Sequence, residues 1–171
     1  MTERLEEIET LSDGRRLLVR PIRSSDAPLE RAFIENLSPQ SRRFRFLASI
    51  KTPSEALLKQ LTELDDSKEV AFIAVTLDLA NSCQVAAARF SAQPDRTAEI
   101  AVVVDDRWQR KGLATVLLTR LIKAARDRGI TRLYSMDAAS NHAMRDLAAH
   151  LGFTCHPDPK DITQVIYSRD L

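Results

Sequence analysis

The chain has 171 residues, of which 44% are hydrophobic and 29% are charged, and its formal net charge at pH 7 is +1. A chain of this length buries enough surface for one core, so we expect a single domain over residues 1–171. The near-neutral charge argues against a nucleic-acid partner. No apolar run approaches the ~20 residues that cross a bilayer, and the opening MTERLEEIE lacks the apolar core of a signal peptide. The sequence therefore predicts a cytoplasmic protein with no membrane partner.

The two cysteines, Cys83 and Cys155, have neither CxxC spacing nor the pattern of a disulfide framework. Their spacing does not indicate a zinc site, and we expect no metal. Because cysteine is among the residue types most often buried, we expect two buried free thiols.

The first part of the chain predicts a hairpin and three helices. Ser12-Asp13-Gly14 is a turn signal that separates an alternating strand over Arg15–Arg23 from a partner strand over Glu7–Leu11. Each helix is opened by a capping or proline signal, at Ser25 or Asp26, at Ser38-Pro39 for a helix through Phe46, and at Thr52-Pro53-Ser54.

The rest of the chain predicts strands interrupted by two helices. Polar turn clusters separate three strand-like runs, which suggest an antiparallel meander over Val70–Leu77, Gln84–Phe90 and Thr97–Val104. Apolar periodicity predicts one helix from Leu113 to Gly129 and another over Asn141–Leu151. The remaining strands are expected at Leu133–Ala138, Phe153–His156 and Ile162–Arg169. This order indicates an α+β fold in which helices pack on the faces of a mixed sheet.

The loop between the valine strand and the long helix, VVVDDRWQRKGLAT, carries the chemical signal. The first N–H groups of a helix have no intrahelical partner, and the helix dipole adds partial positive charge at the same end. Gly112 allows close approach to the backbone, Ala114 is small, and Arg110 and Lys111 add cationic side chains. These features predict a site for an anion such as a diphosphate. In the alternative interpretation, Gly112 only eases a tight turn and the cations are solvated.

The motif Gln109-x-x-Gly112-x-Ala114 resembles the acyl-CoA pyrophosphate signature of the GNAT N-acetyltransferase superfamily, Gln/Arg-x-x-Gly-x-Gly/Ala. The resemblance extends from about Leu17 to Ser168. Three segments are more narrowly similar to the catalytic domains of bacterial protein lysine acetyltransferases, namely SPQSRRFRF, AEIAVVV and NHAMRDLAAHLGF. The resemblance implies a mixed, mostly antiparallel twisted sheet of about seven strands with helices on both faces.

The resemblance also implies the reaction, which is transfer of an acetyl group from acetyl-CoA to an amine. The pantetheine arm of the cofactor would bond to the strand backbone near Val102 and Val104, and the acetyl carbonyl oxygen would meet an amide near Val103. Such an oxyanion donor contributes on the order of 3 kcal/mol. The cofactor-binding residues that the resemblance implies are Val102, Val103, Val104, Gln109, Arg110, Lys111, Gly112, Leu113, Ala114, Thr115 and Asn141.

Glu99 is the residue that the resemblance implies as general base. A lysine ammonium has a pKa of about 10.4 and must lose a proton before it attacks, and a partly buried carboxylate is suited to accept that proton. The alternative is a rim glutamate on the solvent face of a strand. Many GNAT enzymes carry a tyrosine seven residues after the residue that matches Asn141, and this tyrosine serves as general acid for the leaving thiolate. This chain has Ala148 at that position. Tyr134 is a less favoured substitute, because a strand tyrosine usually serves packing.

Two features near this site have both a structural and a functional interpretation. Asn141 contacts the cofactor, caps its helix, or does both, and His142 beside it is expected to be exposed. The cluster Arg42, Arg43 and Arg45 either borders the acceptor site and selects acidic neighbours of the target amine, or it faces water.

The sequence thus predicts an acetyl-CoA-dependent N-acetyltransferase that acts on an amine in a ternary complex, with a protein lysine as the favoured acceptor. One alternative is acetylation of a small-molecule amine, since the same scaffold serves both. Another is a CoA-binding regulatory module with little catalysis, which the missing tyrosine keeps open, and a third is an adaptor without a nucleotide ligand. The oligomeric state, a homodimer included, is left open.

Overall fold

The computed structural model describes residues 6–46 and 50–171, and in these residues eight strands form one sheet. Residues 1–5, which belong to the stretch considered above for a signal peptide, lie outside this description. The strands are β1 (Glu7–Thr10), β2 (Arg16–Pro21), β3 (Glu69–Thr76), β4 (Gln84–Ala92), β5 (Thr97–Val104), β6 (Arg132–Ala138), β7 (Thr154–Asp158) and β8 (Asp161–Asp170).

The helices are α1 (Ala27–Asn36), α2 (Pro39–Phe46), α3 (Glu55–Thr62), α4 (Leu113–Asp127) and α5 (His142–His150). Short 3-10 turns at Ser24–Asp26 and Asp106–Trp108 precede α1 and α4. The predicted start signals operate locally, since Ser54 accepts a hydrogen bond from the N–H of Leu57 at 3.1 Å and thereby caps α3.

The strand order is β1-β2-β3-β4-β5-β6-β8-β7. Every neighbouring pair is antiparallel except β5 and β6, which are parallel. The predicted hairpin is β1–β2 and the predicted meander is β3–β4–β5, so both are confirmed. The α+β fold with a mixed, mostly antiparallel sheet is also confirmed, with eight strands where about seven were expected.

Helices cover the sheet on both faces, as predicted. On one face, leucines of α4 such as Leu117 and Leu121 pack with strand residues that include Ala98 and Ile100 of β5. On the other face, α1 and α3 pack over a cluster that includes Ile73, and Val103 of β5 lies against it. Even-numbered residues of β5 thus face α4, and odd-numbered residues face α1 and α3, because strand side chains alternate.

The prediction that both cysteines are buried is wrong, since Cys83 and Cys155 are exposed free thiols. Cys83 lies in the turn before β4, and Cys155 lies on β7, the outermost strand of the sheet. Neither position faces one of the two cores, which is why the general burial preference of cysteine does not apply here.

The capping role predicted for Ser25 or Asp26 at the first helix is also not found. Asp26 occupies the position before α1, but its side chain makes no capping hydrogen bond to the helix. Its carboxylate instead accepts two hydrogen bonds from Arg20 at 2.7 and 2.8 Å, and a third from the N–H of Arg23. The buried ion pair with Arg20 therefore fixes this turn against β2.

Among the described residues, no helix is both long and apolar enough to span a membrane.

Candidate active site

The two parallel strands β5 and β6 pair only at their beginnings. Thr97–Glu99 lie opposite Arg132–Tyr134, and beyond this point β5 continues beside β4 while β6 continues beside β8. The strands therefore diverge after Glu99 and Tyr134 and leave a gap in the middle of the sheet. A gap of this kind exposes strand backbone that would otherwise be paired.

Strand alternation determines which backbone groups of β5 face the gap. The N–H of Asp105 donates to the carbonyl of Val85 on β4 at 2.8 Å. Backbone groups of successive strand residues point in opposite directions, so the N–H of Val103 is directed toward β4, whereas those of Val102 and Val104 are directed toward the gap. The amides near Val103 that are available to a bound ligand are therefore those of Val102 and Val104.

The loop that follows β5 turns through two residues with positive φ. Arg110 has φ of 60°, and Gly112, the residue before α4, has φ of 85°. A Cβ on Gly112 would meet no heavy atom within 4 Å. The backbone here borders open space, and the glycine is required by its left-handed conformation rather than by crowding.

The N–H groups of residues 110–115 donate no hydrogen bond within the described chain, and no side chain caps α4. The first bond of the helix is that from the N–H of Val116 to the carbonyl of Gly112. The turn thus presents a run of unpaired donors at the positive end of the helix dipole, beside the side chains of Arg110 and Lys111. This geometry fits a diphosphate.

Gln109 has a different local role from its loop neighbours. Its Nε2 donates to the carbonyl of Val104 at 3.0 Å and so holds the loop against the end of β5. Gln109 therefore shapes the loop before α4 through its side chain.

The β1–β2 turn supports this loop from outside, which the sequence did not reveal. The guanidinium of Arg15 stacks on the ring of Trp108 at 3.7 Å and donates to the carbonyl of Arg107. Asp13 pairs with Arg15 at 2.8 Å and lies 3.7 Å from the Nζ of Lys111. These contacts bridge about 90 residues of sequence, and no local pattern signals them.

Asp106 connects the loop to α2. Its carboxylate accepts hydrogen bonds from the N–H of Ser38 at 3.0 Å and from the hydroxyls of Ser38 and Ser41 at 2.8 Å each. Partial burial opposes ionisation, but these bonds prevail and lower the pKa of Asp106 below its ordinary value. The first turn of α2 is therefore attached to the loop that precedes α4.

Glu99 lies at the point where the strands separate. It is opposite Ser91 on β4 and Tyr134 on β6, and its side chain is exposed. The partial burial expected for a base is therefore not present in this structure. Tyr134 is half-buried, and burial together with the negative charges of Glu99 and Asp95 raises its pKa above the ordinary tyrosine value. Tyr134 is thus held in its protonated form beside the candidate base.

The three arginines of α2 have different environments. Arg43 is exposed, and Arg42 donates to the carbonyl of Glu35 at 3.0 Å. Arg45 is half-buried and lies in the electrostatic field of Glu99 and of Arg89 on β4. Sequence reasoning missed Arg89, because a single cation in an apolar strand gives no indication of which helix covers it.

The beginning of α5 also borders the gap. Asn141 caps α5 by accepting the N–H of Met144 at 3.2 Å, and its amide donates to Asp137 at 3.3 Å, so the capping interpretation is confirmed. His142 is exposed, as expected. Ala148, at the position where the resemblance implies a tyrosine in many members of the family, is buried with 2% exposure.

A buried polar group under α5 was not predicted. The hydroxyl of Tyr167 on β8 is buried without a hydrogen-bond partner among the described residues. The nearby carboxyl of Asp137 is also buried, and burial raises its pKa. Strand alternation could have placed Tyr167 in the core, but not the partners of its hydroxyl.

Comparisons with known proteins agree with this geometry. A model of the Acetyltransferase (GNAT) family matches residues 35–153. An acetyltransferase of Pseudomonas aeruginosa is 44% identical over 161 residues, which make up 94% of this chain and 87% of that protein. Acetyltransferase Pat of Mycolicibacterium smegmatis is 32% identical over 111 residues, or 64% of this chain and 33% of Pat.

Among solved structures, the GNAT domain of S. lividans PAT matches 100% of this chain and 99% of its own length, with a TM-score of 0.90 and 27% identity. The fold is thus that of an acetyltransferase domain. The chain belongs to the GNAT family of acetyltransferases.

Proposed function

We propose that this acetyltransferase is acetyl-CoA-dependent and acetylates the ε-amine of a protein lysine by direct attack in a ternary complex. The observation that carries the proposal is the gap between β5 and β6, with a carboxylate at its closed end and unpaired amides at its mouth. The similarity of three segments to bacterial protein lysine acetyltransferases favours a protein acceptor over a small amine.

In this proposal, acetyl-CoA supplies an acetyl group activated as a thioester. The amides of residues 110–115 and the side chains of Arg110 and Lys111 hold its diphosphate at the start of α4. The gap-facing N–H groups of Val102 and Val104 bind the pantetheine arm and the acetyl carbonyl oxygen. The residues assigned to the cofactor are Val102, Val103, Val104, Gln109, Arg110, Lys111, Gly112, Leu113, Ala114, Thr115 and Asn141.

Glu99 accepts the proton of the incoming ammonium, directly or through one water molecule. The pKa of a free lysine is about 10.4, so the ammonium form predominates at neutral pH and a base is required. Glu99 is exposed where β5 and β6 separate, so an acceptor amine that arrives from solvent can reach its carboxylate without entering the interior of the protein.

The leaving thiol has a pKa of about 8.5, so its thiolate is a tolerable leaving group without a strong acid. Ala148 offers no hydroxyl, and water supplies the proton in this proposal. The absence of the tyrosine therefore predicts slower turnover rather than no turnover.

The deciding experiment is the substitution Glu99→Gln, measured with acetyl-CoA and lysine peptides. We expect kcat/KM at neutral pH to fall roughly 100-fold or more, because a positioned base contributes about 10²–10⁴-fold. Calorimetry should show an unchanged Kd for acetyl-CoA. Glu35→Gln, which removes an exposed carboxylate from α1, serves as the matched control and should retain full activity.

The alternatives give different results. A wild-type protein that acetylates small amines but no peptide has the small-molecule activity. A wild-type protein that binds acetyl-CoA but acetylates neither small amines nor peptides is a CoA-binding module. A wild-type protein that binds no acetyl-CoA would refute the proposed cofactor site.

A further inference from the structure

Two guanidinium groups beside Glu99 lack the partners that buried arginines normally have. Arg45 makes no hydrogen bond or ion pair with any described residue, and its guanidinium carbon lies 5.0 Å from the centroid of the Phe46 ring. Arg89 makes one hydrogen bond, to the carbonyl of Leu61 at 3.2 Å. A guanidinium carries five N–H donors, so most donors of this pair are unused.

Both side chains lie on the face of the sheet that carries Glu99. Arg89 is opposite Ala101 on β5, and Glu99 is two residues before Ala101, which makes Arg89 and Glu99 diagonal neighbours on one face. Arg45 projects from α2, which packs beside β5 and β6, and it interacts electrostatically with both Arg89 and Glu99. The pair therefore borders the place where an acceptor amine would approach the base.

The surroundings of Arg45 and Arg89 disfavour the charged forms of both guanidinium groups. Burial and repulsion from Arg89 lower the pKa of Arg45 to about 10, and burial lowers the pKa of Arg89. Attraction from Glu30 raises the pKa of both arginines, but it does not offset the lowering caused by burial. The carboxylate of Glu30 is instead bonded to the side-chain amide of Gln84 at 2.5 Å.

The unused donors can still be reached. Within the described part of the chain, no nitrogen of Arg45 or Arg89 is both buried from solvent and unbonded. The guanidinium heads of these two half-buried side chains thus keep some solvent exposure. A carboxylate matches such heads, because it accepts paired, charge-assisted hydrogen bonds from guanidinium groups.

We propose that the acceptor carries a carboxylate close to its reacting amine, and that Arg45 and Arg89 bind this carboxylate next to Glu99. The inference rests on the proposed function for the identity of the reacting amine. The carboxylate comes either from an acidic residue beside the target lysine of a protein or from the carboxyl group of a free amino acid.

The test measures binding, so that it does not depend on turnover. CoA-saturated protein is titrated calorimetrically with two matched pairs of probes. One pair is a capped lysine peptide with aspartate on both sides of the lysine and its counterpart with asparagine, and the other is Nα-acetyl-lysine and Nα-acetyl-lysinamide. We expect the carboxylate member of at least one pair to bind roughly tenfold more tightly.

Arg45→Gln should abolish that preference, whereas Arg45→Lys should keep part of it because the charge remains without the planar fork. Arg89→Gln is a second variant, used if its thermal unfolding remains cooperative. Arg126→Gln is the matched control, because it removes an exposed cation from the end of α4 on the opposite face of the sheet. This control should retain the full preference.

A preference confined to the peptide pair identifies an acidic protein segment, and one confined to the lysine pair identifies a free amino acid. Equal binding within both pairs, or a preference that survives in Arg45→Gln, would overturn the inference. Turnover of the same probes is measured separately. Loss of turnover with a preserved binding preference contradicts the proposed function and leaves the arginine site standing.

Discussion

Single side chains in this protein show how tertiary contacts reassign residues that have an obvious local role. Asp26 stands where a helix cap is expected, yet its carboxylate is used by Arg20 in a pair whose side chains are only 9% and 5% exposed. Gly112 is the opposite case, because it has the role that its residue type suggests locally. Its φ of 85° lies in the left-handed region that glycine adopts readily. A cap is one of several acceptable uses for an aspartate, whereas left-handed backbone strongly favours glycine.

Asp26→Asn should lower the free energy of unfolding by about 3 kcal/mol at neutral pH. The substitution leaves the buried guanidinium of Arg20 without a compensating charge, which is the costly way to break such a pair. Urea unfolding followed by circular dichroism measures the change. Asp170→Asn, which breaks the exposed pair with Arg132, is the control and should cost much less. Equal losses in the two variants would contradict the importance of burial.

At the scale of elements, the candidate site depends on how α2, the β1–β2 turn and the loop before α4 are attached to one another. Apolar attachment of α2 and of the loop is limited, because no residue of α2 is fully buried and Trp108 in the loop is only partly buried. Polar contacts take over this task, with Asp106 holding α2 and Asp13 and Arg15 holding the loop. The acceptor side and the cofactor side of the gap are thereby connected through one carboxylate.

Asp106→Ala should release the start of α2 and weaken acceptor binding more than acetyl-CoA binding. Loss of the three hydrogen bonds from Ser38 and Ser41 should lower the free energy of unfolding by about 1–2 kcal/mol. Hydrogen exchange of the α2 amides measures the release, and the KM for the acceptor should rise while that for acetyl-CoA changes little. Asp161→Ala removes a carboxylate bonded only to Thr163 two residues away, so it should leave α2 exchange unchanged.

At the scale of the whole molecule, one sheet separates two cores and carries the candidate site between its central strands. The cores on the two faces share the same strands, so the spacing of β5 and β6 is set by packing on both sides. Several aspartates outside these cores have pKa values below the ordinary range because they accept hydrogen bonds or face cations. These are Asp13, Asp26, Asp65, Asp95, Asp106, Asp161 and Asp170.

The lowered pKa values predict that the protein loses stability in acid. A carboxyl whose folded-state pKa is below its unfolded value of about 3.9 stabilises the fold above that value, and this contribution disappears as the pH falls through the folded-state pKa. Asp137, whose pKa is raised by burial, acts in the opposite direction and offsets part of the loss. The free energy of unfolding should therefore decrease from about pH 5 downward.

Urea titrations between about pH 5 and pH 2 at constant ionic strength measure this decrease. Asp26→Asn should show a shallower decline than the wild type, because one of the contributing groups no longer titrates. An identical slope in the two proteins would show that the Arg20–Asp26 pair has no part in the acid response.

The sequence by itself determined the order of the elements, the β1–β2 hairpin, the β3–β5 meander and the family. These features depend on signals that act over a few residues, such as the Asp13-Gly14 turn, the cap at Ser54 and the period of the leucines in α4. The loop at Gly112 could be found in the same way, because a strand, a short turn and a helix start follow one another directly in the chain.

Only the tertiary structure decided that β8 lies between β6 and β7, that β5 and β6 separate after Glu99, and that Arg45 lies within the electrostatic influence of Arg89. It also decided that Cys83 and Cys155 are exposed and that Asp26 forms an ion pair with Arg20. Each of these outcomes is a choice among partners distant in sequence. Local periodicity states which face of an element is apolar, but the free energy of long-range packing selects what covers that face.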